Sequence, residues 1–522
     1  ARAGSLSRTP CRCPMSIIGS PLFSGHGSGV LTGQGHSSQA GHDGGEGHSA
    51  VVSAFLGHRI GIRAVLSMVL AATILFAAWG TTRSTASGTP RVAPAVVLVF
   101  ATVVIAAPFL RRREHWLLGA YLLAVPFLPD ANAIGSVSYG SLGAIVFLVW
   151  ATAISLTSSR TLGTSRRLFW LFIALAALSI ASLLWTGSPT VADFGSTVLK
   201  CVYFAVLLWA VHAFSDTADR ARALLGVMLM SAALVSSYVV ASHVLGLDSS
   251  SADGFTRARG TFNHWNQLGG YLVLLIVPLA LFALTQTRGA LRALLLTGAG
   301  IGVVALLFTA TLGSYVGLAV SVVLALRKIS GGSRAWATVV MCSLALVVGV
   351  VVTKTPVVSG KITLTGSRAE DRFGTYQSGL RLIMARPILG WGSDERVLEA
   401  IQADPDRFGG TSFGGTQSVP HNAFLSVTAA LGVIGLVLLV WIFAESFRMV
   451  RRGRQLVSPP TALALSGVEY GMIGFLVQNL TNNLALHLRI GAIFVAIVVA
   501  ASRWAEEEVA SRARAAPERR GR

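Results

Sequence analysis

Three polar clusters interrupt an otherwise apolar chain, and their residue types suit the handling of an anionic substrate. The first is Arg257-Ala258-Arg259-Gly260-Thr261-Phe262-Asn263-His264-Trp265-Asn266-Gln267. The second runs from Ser367-Arg368-Ala369-Glu370-Asp371-Arg372 through Tyr376 to Arg386-Pro387-Ile388-Leu389-Gly390-Trp391-Gly392. The third is Pro420-His421-Asn422-Ala423-Phe424-Leu425, at the start of a long apolar run. Guanidinium groups offer a fixed fork of donors that matches phosphate geometry. Imidazole titrates near neutral pH and suits general-base work on a hydroxyl. Segment 354–420 carries Arg368, Arg372, Arg381, Arg386, Arg396 and Arg407. Together these groups point to an anionic, lipid-borne substrate.

Each cluster also has a structural reading. Asn263, Asn266 and Gln267 enter an apolar helix, where polar groups are costly without partners. They either cap that helix or line a sugar site. Arg372, Tyr376 and Leu380 fall at i, i+4 and i+8, so they share one face of a helix. That helix could lie on the membrane surface with Arg372 aimed at a phosphate. Alternatively, Arg368 and Arg372 pair with Glu370 and Asp371 on a solvated face. Pro387 to Gly392 is a stop and turn signal. His421, at a helix start, is either a base or a capping residue. Lys200, Glu445, Glu469, Gln478, Asn479, Asn482 and His487 are further polar residues in or beside apolar runs. Of these, Gln478, Asn479 and Asn482 fall at an outer helix end, and Glu469 suits a structural partner for a cation.

The elements that must position these groups are membrane spans. The chain has 522 residues, 53% hydrophobic and 12% charged, with mean hydropathy +0.66. A soluble chain carries about twice that charge fraction. Apolar segments long enough to cross a bilayer recur at 62–80, 93–110, 115–129, 138–157, 168–186, 194–214, 223–246, 267–285, 291–309, 311–327, 335–353, 422–444, 462–480 and 484–502. The expected fold is therefore all-α, a polytopic transmembrane helical bundle of about 12–14 spans with one large extracytoplasmic loop. Basic loops at 111–113, 160–167, 288–292, 327–334 and 448–454 alternate with loops poor in Lys and Arg. The positive-inside rule puts the basic ones in the cytoplasm. Segments 247–266 and 354–420 then fall outside, where arginine invites a functional reason.

The expected organisation is a disordered Gly-, Ser- and His-rich tail at 1–58, transmembrane helices over 59–353, the loop 354–420, transmembrane helices over 421–505 and a basic cytoplasmic tail at 506–522. Met15 is a possible true start. The net charge of +20 sits in short loops with no aromatic-interleaved basic patch, which argues against nucleic acid as a partner. The histidines of the tail, from His26 to His58, fit no metal-ligand spacing. Cys11, Cys13, Cys201 and Cys342 form no disulfide framework.

With these motifs in hand, the chain resembles the O-antigen ligase and polymerase-like superfamily of bacterial membrane proteins over about residues 165–505. Arg259-Gly260-Thr261-Phe262 with Asn266 resembles a segment before a central span. Arg372 through Pro387-Ile388-Leu389-Gly390-Trp391-Gly392 resembles the family's arginine and "Pro-Leu-Leu-Gly-x-Gly" signature. His421-Asn422-x-Phe424-Leu425, followed by Gly432-Val433-Ile434-Gly435, resembles its "His-Asn-x-x-Leu…Gly-x-x-Gly" signature. Gln478-Asn479-Leu480 resembles its C-terminal Asn segment. Tyr376 stands where Trp is usual, and Thr311-Leu312-Gly313-Ser314 lacks the arginine of the family's Ser-Arg-Gly segment.

The resemblance implies a metal-independent, cofactor-free GT-C-like glycosyltransferase of the inner (plasma) membrane, acting on its outer face. Its donor would be a glycan on an undecaprenyl-diphosphate-type lipid, and its acceptor a glycan, lipid or protein hydroxyl. The base role would fall on His421 and diphosphate binding on Arg259 and Arg372. Arg257, Arg368, Tyr376, Asn422, Asn266 and Asn479 would complete the substrate site. A secondary transporter or flippase is the rival from another class. It would explain the many spans and Lys200, but the spans are poor in acidic groups.

Overall fold

The computed structural model describes residues 114–128, 132–134, 137–157, 162–182, 184–185, 191–246, 251–252, 255–329, 367–408 and 420–520. The expected tail at 1–58 and the expected spans at 62–80, 93–110 and 335–353 lie outside the described residues.

The described residues form a polytopic helical bundle. Its helices are α1 (Glu114–Ala124), α2 (Tyr139–Thr157), α3 (Arg166–Ser182), α4 (Val191–Phe214), α5 (Ala218–Val244), α6 (Trp265–Leu284) and α7 (Gly289–Phe308). They continue as α8 (Leu312–Ile329), α9 (Ser367–Ala385), α10 (Asp394–Ala403), α11 (Pro405–Phe408), α12 (Ala423–Leu456), α13 (Pro459–Asn479) and α14 (Leu488–Arg520). Among the described residues, nine helices are long and apolar enough to cross a membrane. Two small antiparallel ladders complete the fold: β1 (Asn132–Ile134) with β2 (Val137–Ser138), and β3 (Ser251–Ala252) with β4 (Phe255–Thr256).

In a bilayer every backbone polar group must be satisfied within the protein, which favours helices of this length. Packing rather than propensity then fixes their arrangement. α6 is largely enclosed, seated against α13, α7 and α8. α8 and α13 cross closely, because a Cβ on Gly317 would meet the Gly474 carbonyl at 2.6 Å. Ser321 seals the crossing by donating to the Tyr470 carbonyl at 2.8 Å, a small-residue contact of the kind that joins helices in membranes. Three buried tyrosine hydroxyls have side-chain partners, as most interior polar groups do: Tyr271 with Ser231 at 2.7 Å and Tyr121 with Tyr203 at 2.6 Å.

The interactions sort into two ends of the bundle. At one end Glu469, 2% exposed, takes Arg451 at 2.6 Å and Arg454 at 2.8 Å, the structural role its sequence position suggested. Glu445 pairs there with Arg448 and Thr164 with Glu506, while the Ser458 amide donates to Glu508 at 2.9 Å. The opposite end holds the three polar clusters.

Two helices outrun their expected bounds. The expected span 422–444 is the first part of α12, 34 residues long, so the expected basic loop at 448–454 is helical. The expected tail after Arg503 continues α14 to Arg520. Charge spacing explains the second extension. Arg503 reaches Glu506 and Glu507 at 2.8 and 2.5 Å, and Arg512 pairs with Glu508, all at i, i+3 or i, i+4.

Candidate functional site

The site is organised by a short polar turn, 478–484, between α13 and α14. The Leu480 carbonyl, just past the end of α13, receives two donors. Asn422 Nδ2 reaches it at 2.9 Å and the Tyr376 hydroxyl at 3.2 Å. The second and third sequence clusters, 46 residues apart at these two positions, therefore meet on one acceptor. The first cluster arrives through Gln478, whose Nε2 donates to the Asn266 carbonyl at 3.2 Å and to Ser314 Oγ at 2.7 Å. Thr311 adds a bond to Asn266 Oδ1 at 3.3 Å.

The His421-Asn422 corner has a clear division of labour. Asn422 is the N-cap of α12, and its Oδ1 accepts from the amides of Phe424 and Leu425 at 2.9 and 3.1 Å. His421, half-buried one residue earlier, is thus not the cap. One turn on, Ser426 donates to Asp394 at 2.9 Å and accepts from Asn483 Nδ2 at 2.9 Å. That chain ties the start of α10 to α12 and to the 478–484 turn. Asp394, Ser426 and Asn483 escaped the sequence reading, since each looks like an ordinary loop or cap residue.

The glycine signatures prove to be two halves of one joint. α12 breaks at Gly432, with φ 66° and ψ −170°. The break frees the Ala429 and Ala430 carbonyls from the helix. The Trp391 and Gly392 amides take them at 2.9 and 2.7 Å, while the Val433 amide donates to the Pro387 carbonyl at 2.8 Å. Gly390, at φ 67°, passes so close that a Cβ would clash with the Ala430 carbonyl. Trp391 Nε1 then donates to the Leu382 carbonyl at 3.0 Å. This bond carries the position of the joint into α9 and towards Tyr376.

The arginines divide into several groups. Arg259 is exposed, beside a turn at Gly260 with φ 56°. Arg257 is buried, with its guanidinium 4.7 Å from the centre of the Trp265 ring, and the next amide, Ala258, bonds the Phe308 carbonyl at 3.0 Å. Arg372 stands on α9 with Tyr376 one turn beyond it, as the spacing predicted, and Arg368 stands on the same helix; the side chains of both arginines lie outside the described residues. Arg381 is exposed on the same helix. The other loop arginines serve local packing. Arg386 stacks on Trp391 at 4.1 Å, Arg396 pairs with Glu399 at 2.8 Å and Arg407 lies over Phe408 at 5.2 Å.

The remaining sequence candidates have mainly architectural contacts. Asn479 donates to the Phe475 carbonyl at 2.8 Å and accepts from the Leu484 amide at 3.1 Å, which closes the turn. The cap of α6 is His264, whose Nδ1 accepts from the Asn266 amide at 3.1 Å, rather than an asparagine. Arg489, 2% exposed, went unnoticed in the sequence. It donates to the carbonyls of Leu128 at 2.6 Å and Thr261 at 2.8 Å, with its guanidinium 4.5 Å from the Phe262 ring centre. It therefore clamps the first cluster to the end of α1. An arginine at the non-basic end of a span was the available signal.

His487 is a further imidazole at this end, with its Nδ1 buried and without a hydrogen-bond partner. Burial, and then the charges of Arg489 and Lys200, push its pKa down to about 3. The folded protein thus prefers the neutral ring. That stabilisation is complete above the ordinary histidine value near 6.5 and is lost as pH falls towards 3. The melting temperature of the purified chain should drop between pH 7 and pH 4, with a contribution from this group of at most about 1.4 kcal/mol per pH unit. His487→Asn should flatten part of the drop. A variant curve parallel to wild type would remove His487 from the account.

Residues 271–440, about a third of the chain, match the family described as O-antigen ligase. The matched stretch runs from α6 to just past the Gly432 joint and includes Arg372, Tyr376, His421 and Asn422; Arg257, Arg259, Asn266 and Asn479 fall outside it. No curated protein matches the chain. The chain thus carries an O-antigen ligase-like domain set within a polytopic bundle of membrane-length helices.

Proposed function

We propose that the protein is a membrane glycosyltransferase. It moves a preassembled glycan from an undecaprenyl-diphosphate-type lipid to an acceptor hydroxyl, on the extracytoplasmic face of the inner membrane. The observation that carries this reading is the convergence of three separate clusters on the 478–484 turn, beside His421, with two of them inside the O-antigen ligase match. The alternation of basic loops supports the sidedness, because the cluster end lies opposite the arginine-rich end of α12.

In the proposed reaction His421 takes the proton of the acceptor hydroxyl as its oxygen attacks the anomeric carbon. The bond from that carbon to the diphosphate oxygen breaks, and its electron pair leaves with the diphosphate. A single displacement inverts the anomeric centre. Arg259 and Arg372 stabilise the charge that grows on the leaving group. Asn422, Tyr376, Asn266 and Asn479 hold the walls of the site, with Arg257 and Arg368 adding positive potential. No step needs a metal or cofactor.

The test is glycan transfer in proteoliposomes loaded with lipid-diphosphate-linked glycan. Arg259→Gln and Arg372→Gln should each lower turnover by about 10²–10³-fold, the usual cost of losing one donor to a developing anion. Unchanged turnover in both would remove the arginines from the mechanism. Wild-type protein that moves donor between leaflets without consuming it would replace the transferase with a flippase.

A further inference from the structure

The arginine-rich end of α12 carries a cleft that takes no part in the transferase reading. Arg448, Arg451, Arg452 and Gln455 stand at i, i+3, i+4 and i+7, so they form one stripe. Ala444 and Phe447 continue the stripe into the apolar part of the helix, and Ile473 of α13 faces it. These residues line a cleft of about 570 Å³ open to the surroundings.

The charges in this cleft are not balanced. Glu445 answers Arg448, and Glu469 answers Arg451 and Arg454. Arg452 is exposed and, among the described residues, has no ion-pair partner. Arg167, from the start of α3, and Arg452 both lie close enough to repel the charge of Arg448. Like charges at i, i+4 are destabilising without a counter-ion. An apolar groove that ends in surplus guanidinium groups, at the end of a membrane-length helix, has the chemistry of a phospholipid: acyl chain above, phosphate below.

We propose that this cleft binds an anionic phospholipid of the leaflet at the basic end of α12. Its phosphate would lie between Arg448 and Arg452, with Arg451 and Gln455 beside it. Its acyl chain would run along Ala444, Phe447 and Ile473.

The test uses the purified full chain in neutral detergent, titrated with phosphatidylglycerol, phosphatidylcholine or inorganic phosphate. Bound lipid is counted by native mass spectrometry. Phosphatidylglycerol should bind at least tenfold more tightly than phosphatidylcholine. Arg452→Gln should weaken it about tenfold and Arg452→Lys should retain it, while Arg514→Gln, on the exposed end of α14, should leave it unchanged. The melting temperature without lipid checks that each variant folds. Equal binding of the two lipids, or an unaltered Arg452→Gln, would overturn the proposal. Inorganic phosphate that displaces the lipid at equal concentration would assign the site to a free anion instead.

Discussion

His421→Ala is expected to lower glycan transfer by about 10²–10⁴-fold, the usual contribution of a positioned general base, with little change in melting temperature. The asymmetry follows from the corner itself. Asn422 performs the capping of α12 and the bridge to the Leu480 carbonyl, so loss of the neighbouring imidazole leaves both in place. Asn422→Ala should do the reverse. It removes a cap of roughly 1 kcal/mol and also the bridge that holds the loop to the turn, so stability should fall together with turnover. Two readouts separate a base from a structural histidine. A base lowers kcat more than it raises KM, and its removal abolishes the acidic limb of the pH–rate profile. If His421→Ala melted early and its residual turnover kept the wild-type pH profile, the histidine would be a structural residue and the base would have to be sought elsewhere.

The bundle was legible because apolar length is a strong signal. The expected spans at 267–285, 291–309 and 311–327 correspond to α6, α7 and α8 within a few residues. The ends were less so, because hydropathy fades before a helix stops. α12 and α14 continue through arginines and glutamates that pair one turn apart, which a hydropathy window reads as loop. At the site, the helix over Arg372 and Tyr376 and the polar end at Gln478 were readable as local patterns. What joins them was not. The Leu480 carbonyl is a backbone group that no side-chain pattern announces, yet Tyr376 and Asn422 both depend on it. The glycine signatures were visible as strings of residues. Their pairing across the joint, between positions about 40 residues apart in the sequence, exists only in the fold.

That joint sets the second large effect. Gly432→Ala is expected to cost roughly 3 kcal/mol or more and to abolish transfer. Gly432 occupies a backbone region, φ 66° and ψ −170°, that is essentially reserved for glycine. A Cβ there would also clash with the Ile388 carbonyl, so the Pro387–Gly392 turn would have to withdraw. Withdrawal breaks three backbone bonds at once, from Trp391, Gly392 and Val433, and leaves the freed carbonyls of α12 without donors in a largely apolar setting. Gly390→Ala should act alike through its clash with the Ala430 carbonyl. Both variants damage the same contact, so the double variant should cost little more than either single one. Gly300 on α7 provides the control. Open space surrounds its Cβ position, and Gly300→Ala should be neutral or stabilising by up to about 1 kcal/mol. Melting temperature and yield of folded protein in detergent read the stability. Donor consumption in proteoliposomes reads the function. If Gly432→Ala melted like Gly300→Ala, the joint would not hold the loop in place. If it melted early but transferred normally, the joint would stabilise the bundle without positioning α9 and Tyr376 for the reaction.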